Sequence, residues 1–99
     1  SEGKPVMIDF YADWCAACKE LDKYTYSDAA VQQEAQRFTS VKVDATDDTE
    51  DLREIQKRFG VVGLPTVAFV NSQGETCAEP RVTGFVEPDK YLPLMQGVW

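Results

Sequence analysis

Apolar runs alternate with amphipathic stretches along the chain, and this alternation predicts strands and helices in turn. Residues 6–11 are nearly continuously apolar, as expected for a strand covered on both faces in an α/β sheet, with Asp9 as the anomaly. Residues 15–38 then carry apolar side chains at spacings of three, four and seven, which predicts a long helix. The apolar side of this helix is expected to contain Leu21, Tyr24, Val31, Ala35 and Phe38.

The long helix is expected to kink or restart near residues 25–28, where Ser27 or Asp28 suits a second N-cap. Residues 41–44 alternate like a short strand. The acids that follow suit the N-terminus of another helix, for which Gly60 is the expected C-cap. The buried side of that helix is expected to contain Leu52, Ile55 and Phe59.

The second half of the chain predicts a hairpin and a closing helix. Residues 66–70 form another apolar strand, and residues 71–74 have the composition of a hairpin turn. A return strand is expected near residues 81–85, and Pro88 suits the first turn of the last helix. The predicted order is β-α-β-α-β-β-α, a three-layer α/β domain with a central mixed sheet flanked by helices.

Length and charge narrow the possible functions. With 99 residues, the chain is expected to be one domain over residues 1–99. The net charge of −7 repels phosphate backbones and anionic lipids, so we expect no nucleic-acid partner. No stretch approaches the roughly 18 apolar residues that span a bilayer, and no targeting segment is recognisable, so direct membrane insertion is not expected. We expect a monomer.

The cysteine and histidine counts narrow the chemistry further. The chain has no histidine, which removes Cys-His and Ser-His catalysis and the common zinc enzyme sites. Its three cysteines cannot all pair within one chain, so a close pair plus one leftover is the simpler interpretation. The leftover, Cys77, is expected to be an inert thiol or one that dimerises adventitiously.

Cys15 and Cys18 lie two residues apart, where the first strand gives way to the first helix. At this spacing helical Cβ atoms are roughly 5–6 Å apart, and a modest adjustment reaches the roughly 3.5–4.5 Å that a disulfide needs. Free backbone N–H groups at the helix start favour a thiolate on Cys15, the expected attacking sulfur. Cys18 is the expected resolving sulfur. Two alternatives stay open: a metal-binding or metal-delivery module that uses the pair, and a redox-inactive interaction domain.

Other residues are candidates for roles around the pair. Pro65 opens an apolar strand and, if cis, would turn the main chain of Leu64 toward an extended partner peptide; an ordinary trans proline is the alternative. Asp9, in a buried strand, is a candidate proton acceptor for Cys18, and Asp22 lies four residues after that cysteine. Trp14 is expected to shape the rim, as is the neighbouring Asp13; a solvated or plain surface role is the alternative for Asp22 and for both rim residues.

These residues also carry a family resemblance. Residues 6–18, with the CxxC pair, together with residues 63–66 and Gly84, resemble thioredoxins along almost the whole chain. More specifically, several segments resemble the C-terminal periplasmic domain of the bacterial thiol:disulfide interchange protein family DsbD. These segments are residues 4–7, 11–15, 17–20, 23–25 and 81–85.

The resemblance implies a thioredoxin-like fold and a disulfide reductase that relays electrons, with no cofactor beyond the redox-active disulfide. In that family the domain takes reducing equivalents from a transmembrane domain and passes them to an N-terminal periplasmic domain, which reduces isomerases and cytochrome c maturation proteins. The resemblance makes Cys15 the nucleophile, Cys18 the resolving thiol and Pro65 a cis-proline, with Asp9 and Asp22 tuning the pair. It also implies that the chain is part of a larger inner-membrane protein.

Overall fold

The computed structural model describes residues 3–99 and contains one mixed four-stranded sheet with the order β2-β1-β3-β4. Strand β1 (Val6–Tyr11) pairs in parallel with β2 (Thr39–Asp44) and antiparallel with β3 (Thr66–Val70). Strand β4 (Val82–Thr83) pairs antiparallel with β3. The apolar run that contains Asp9 is therefore an inner strand, as its composition predicts.

The helices are α1 (Ala16–Glu20), α2 (Ala29–Ala35), α3 (Glu50–Phe59) and α4 (Pro88–Gln96). A π-helical turn, Leu21–Thr25, continues α1. The predicted element order is confirmed, with the first helix divided into pieces. Within the described part of the chain, no helix has the length and apolar composition needed to cross a membrane.

The π turn explains why the first helix departs from its predicted buried side. Tyr24 is 52% exposed, whereas Thr25 is fully buried and donates a hydrogen bond to the carbonyl oxygen of Val86, 2.6 Å away. A π turn holds an extra residue per turn, so positions after its start rotate relative to an ideal α-helix. The predicted spacing therefore fails at Tyr24, while Leu21 and Val31 are buried as expected.

The predicted helix ends agree with the structure because they depend on local chemistry. The carboxylate of Asp28 accepts from the backbone N–H groups of Ala30 and Val31, which makes it the N-cap of α2. Gly60 ends α3 in the left-handed conformation at a φ of 67°. Ile55 is an exception on α3, since it is exposed rather than buried.

The return strand is shorter than predicted. Only Val82–Thr83 pairs with β3, and the turn at residues 71–74 closes with a 2.9 Å hydrogen bond from Gly74 N–H to the Asn71 carbonyl. A single bridge from Val70 to Thr76 replaces a continuous ladder after that turn. The long connection from there to β4 includes a cis peptide bond before Pro80, which the sequence analysis did not anticipate.

The strand register places the cysteine turn beside the predicted cis-proline. Phe10 near the end of β1 faces Thr66 at the start of β3, because these strands are antiparallel. Residues 12–15 follow β1 and residues 64–65 precede β3, so the two segments lie at the same end of these paired strands. The largest core cluster includes Leu21, Phe69 and Tyr91.

Candidate active site around the Cys15–Cys18 disulfide

Cys15 and Cys18 form a disulfide at the start of α1, with their Cα atoms 5.3 Å apart. Cys15 is the N-cap residue, with an extended backbone, and its Sγ accepts a 3.1 Å hydrogen bond from the N–H of Cys18. The N–H of Cys15 donates to the carbonyl of Ala12 and so closes the turn from β1. The Cys15 sulfur thus lies where the free N–H groups of the helix can stabilise a thiolate once the bond is reduced.

Both cysteines are largely buried, together with Ala12. Leu64, which lies just before β3, packs against this group. The structure therefore brings the predicted pair into contact with Leu64.

The Leu64–Pro65 peptide bond is cis, and Pro65 is buried. The Pro65 carbonyl accepts from the N–H of Gly84 at 2.9 Å, and Thr66 Oγ1 donates to the Gly63 carbonyl at 2.6 Å. These two bonds fix the backbone on either side of Leu64. Within residues 3–99, the N–H and carbonyl of Leu64 itself form no hydrogen bond, so they are available to an incoming chain.

Trp14 lies on the rim of the site and is 67% exposed. Its indole Nε1 donates to the Thr46 carbonyl at 3.1 Å, and the N–H of Asp13 donates to Thr46 Oγ1 at 2.9 Å. Thr46 Oγ1 in turn donates to the carboxylate of Asp44. The loop after β2 thereby holds the indole in place, although most of its surface faces solvent.

Asp9 is 5% exposed, and its Oδ1 has no hydrogen-bond partner among the described residues. Burial raises the pKa of this carboxyl from 3.8 to about 6. The charge of Lys42 opposes the rise, and the negative charge of Asp22 adds to it. The buried position that the sequence predicts for Asp9 in its apolar strand is confirmed.

Asp22 lies in the π turn and shares a cavity of about 230 Å³ with Asp9 and Lys42. Its carboxylate forms an ion pair with Lys42 Nζ at 3.1 Å, and both side chains are about half exposed. The cavity continues between β1, β2 and α2, where Met7, Tyr26 and Val31 also line it. Asp22 is therefore placed beside the other acid, while its predicted action on Cys18 stays a prediction.

Within residues 3–99, no group of three or more Cys, Asp or Glu side chains is arranged to hold a metal ion. Cys77 is half-buried and packs against the main core cluster. A metal bound by Cys15 and Cys18 would need ligands beyond those that the described residues gather.

A family model for thioredoxin-like domains matches residues 1–99. The chain belongs to the thioredoxin-like family. A crystal structure of the DsbD C-terminal domain of Neisseria meningitidis, in the oxidised form, superposes with a TM-score of 0.81 and 36% identity, over 97% of this chain and 81% of that one. A thioredoxin from Thermus thermophilus superposes with a TM-score of 0.78 and 27% identity, over 95% and 72% of the two chains. The predicted thioredoxin-like fold is confirmed.

Among curated proteins, this thioredoxin-like chain is similar to two proteins named thiol:disulfide interchange protein DsbD. The protein of Actinobacillus pleuropneumoniae serotype 5b (strain L20) is 47% identical over 92 residues, which is 93% of this chain. That of Yersinia pestis (strain Pestoides F) is 44% identical over 96 residues, or 97% of this chain. The chain spans about a sixth of the length of these relatives, 16% in each case. The resemblance to DsbD is confirmed.

Three residues of this thioredoxin-like site were missed by the sequence analysis. Lys42 lies opposite Asp9 in the parallel pairing of β1 with β2, and the register of two strands cannot be predicted from their sequences alone. Thr46 fixes Trp14 through its main-chain carbonyl, which any residue type could supply. Val62 is fully exposed beside Leu64, and an apolar residue in the segment before β3 was the one available signal for it.

Proposed function

We propose that this chain is a protein-disulfide reductase that relays electrons through the Cys15–Cys18 dithiol and disulfide. The observation that carries the proposal is the disulfide itself, at the N-terminus of a helix and packed against Leu64, which precedes the cis-proline Pro65. Thiol–disulfide exchange needs a stabilised attacking thiolate, a resolving thiol within bonding distance and a place for the partner chain. The residues at this end of β1 and β3 supply all three.

In the first step, the thiolate of reduced Cys15 attacks one sulfur of a partner disulfide. A bond forms between Cys15 Sγ and that sulfur, and the second partner sulfur leaves as a thiolate. The N–H of Cys18, which points at Cys15 Sγ, stabilises the negative charge before the attack.

In the second step, Cys18 loses its proton and attacks Cys15 Sγ, which expels the other partner thiolate and regenerates the disulfide seen here. The partner gains two electrons and two protons, and this chain loses them. Asp9 is the proton acceptor that we assign to Cys18, because burial brings its pKa to about 6, closer to that of a thiol than an ordinary carboxyl. Asp22 acts with Lys42 on the charge of Asp9.

The partner would bind along Leu64 and the rim. The unpaired main-chain groups of Leu64 can form hydrogen bonds with an extended segment of the partner. Trp14 offers an exposed aromatic surface that its bond to Thr46 already orders, so little side-chain entropy is lost on contact.

The direction of electron flow follows from charge. Asp9, Asp13 and Asp22 oppose a stabilised thiolate, and a chain that holds its thiolate weakly gives electrons away more readily. By its resemblance to DsbD, we assign the donor to a transmembrane domain and the acceptor to a periplasmic domain of one larger inner-membrane protein. Residues 1–99 then form a single periplasmic domain of that protein.

The test uses a synthetic peptide with one internal disulfide and two variants, Cys18→Ser and Cys15→Ser, each combined with Cys77→Ala. The Cys18→Ser variant, mixed with excess peptide and quenched with acid, should retain part of the peptide covalently on Cys15, because the resolving thiol is absent and only the peptide's own second thiol can reverse the bond. The matched Cys15→Ser variant should retain none. Intact mass spectrometry under non-reducing conditions measures both, and the reduced parent chain should release the dithiol peptide.

Absence of an adduct on Cys18→Ser would refute the exchange function. The direction of electron flow is tested by a separate measurement. A Cys15 thiol already ionised at about pH 4, or a reduction potential of about −120 mV, would make the chain an oxidase instead.

A further inference from the structure

A pocket of about 390 Å³ opens beside the disulfide, between Trp14 and the segment 61–64. Ala45 and Leu52 also line it, and both are buried. Leu64 belongs to this pocket and also packs against the two cysteines, so this one side chain joins the pocket to the disulfide.

The pocket exposes apolar side chains on two of its sides. Val62 is 100% exposed on one wall, and Trp14 stands on the other with its indole fixed to Thr46. Exposed aromatic and aliphatic groups around a preformed hollow mark a contact surface for another chain. Such a pocket favours a side chain with a long apolar stem.

The charge of the pocket lining decides which of these side chains the pocket favours. Among the described residues, Asp48 is the one charged residue that lines the pocket, and residues 44–52 around it also carry Asp44, Asp47, Glu50 and Asp51 with no base. Among the described residues, the ion-pair partner of Asp48 is Arg53, at 3.3 Å, and both side chains are mostly exposed. An exposed pair of this kind is weak, so Asp48 remains available to an incoming cation.

The opposite side of the segment 62–64 carries a charge of the opposite sign. A groove of about 210 Å³ there is lined by Pro65, Thr66 and Thr83, and its one charged lining residue is Arg81. A partner that crosses Leu64 therefore meets a negative pocket on the Trp14 side and a positive groove on the other. This difference gives the partner chain a preferred orientation.

We propose that the Trp14 pocket receives a lysine or arginine side chain of the partner, at a position next to the partner's reacting cysteine. The aliphatic stem packs on Trp14 and Val62, and the cationic end reaches Asp48. This inference rests on the proposed function, because the partner is held there while it is bonded to Cys15.

The test measures an exchange equilibrium rather than turnover. The Cys18→Ser, Cys77→Ala chain is loaded with glutathione on Cys15 and mixed with short cysteine peptides that carry lysine, norleucine or glutamate beside the cysteine. Each peptide thiol displaces glutathione, so one disulfide forms as one breaks, and mass spectrometry gives the equilibrium ratio. We expect the lysine peptide to be favoured over norleucine by about threefold, and glutamate to be disfavoured.

Asp48→Asn should remove most of the lysine preference. Asp47→Asn, which makes the same change of charge one residue outside the pocket lining, should keep most of it. Effects of the peptide charge on its own thiol cancel, because the same peptides are compared across variants. Equal ratios for all three peptides, or equal losses in both variants, would overturn this inference and leave the proposed function intact. Failure of every peptide to form a mixed disulfide would overturn both.

Discussion

Two regions near the disulfide are built in opposite ways. The rim, made of Trp14, Thr46, Val62 and Leu64, exposes apolar side chains, and the Trp14 indole N–H is hydrogen-bonded to Thr46. The carboxylate cavity, shared by Asp9 with its neighbours, buries a carboxyl whose Oδ1 has no partner among the described residues. Exposed apolar side chains suit contact with another chain, whereas a buried carboxyl suits the exchange of a proton. Substitutions in the two regions should therefore change different measurements.

The largest expected effect is on the free energy of unfolding, and it comes from Asp9 in the carboxylate cavity. The pKa of Asp9 is raised from 3.8 to about 6, so the folded chain binds this proton more tightly than the unfolded chain. The contribution of this carboxyl to stability is therefore greatest below about pH 4, and it is lost as the pH rises to about 6. The shift of about 2 units corresponds to a cost of up to about 3 kcal/mol at pH 8.

Asp9→Asn should recover much of that cost, about 2 kcal/mol at pH 8, and almost none at pH 3.5. Urea unfolding of the oxidised chain at the two pH values measures this difference. Asp47→Asn, at an exposed loop position, serves as the control. A gain from Asp9→Asn that is the same at both pH values would contradict a titrating buried carboxyl.

The next largest effect is expected on kcat/KM, from a substitution in the rim. Trp14→Ala should lower kcat/KM toward a protein disulfide by about tenfold, because an ordered aromatic contact is lost. Its pH profile should keep the same midpoint, since no titrating group is changed. Steady-state kinetics across pH test both statements. Trp99→Ala is the matched control, because Trp99 is similarly exposed at 70% but packs on Arg37 instead.

The smallest expected effect is a change in the pKa of Asp9 when a neighbouring charge in the carboxylate cavity is removed. Lys42→Gln should raise the pKa of Asp9, because the Lys42 charge lowers it, and Asp22→Asn should lower it, because the Asp22 charge raises it. Both shifts are expected to stay within about one unit, since the pair is half exposed. Carboxyl-carbon NMR titration of Asp9 measures them. Shifts of the same sign in both variants would show that a change of structure, rather than charge, is responsible.

Features that depend on local chemistry could be predicted from the sequence. Asp28 and Gly60 end helices where their residue types suggest, and the spacing of Cys15 and Cys18 allows a disulfide before any fold is known. The cis state of Pro65 came only through the family resemblance, because a lone proline at a strand start is usually trans.

Features that depend on register or on main-chain atoms could not be predicted. Lys42 faces Asp9 because of how two parallel strands align, and the partner of Trp14 is a carbonyl. The exposure of Tyr24 has a similar origin, since apolar spacing does not distinguish an α-helix from one with a π turn.

The π turn Leu21–Thr25 also lies between α1, which follows Cys15, and the rest of the predicted first helix. Because the turn takes up one extra residue, the positions after it are rotated relative to those of the helix start beside Cys15. The bond from Thr25 to Val86 then anchors the far side of the turn to the chain before α4. Two segments 61 residues apart in the chain are thereby held together at the end of the helix that begins with the cysteines.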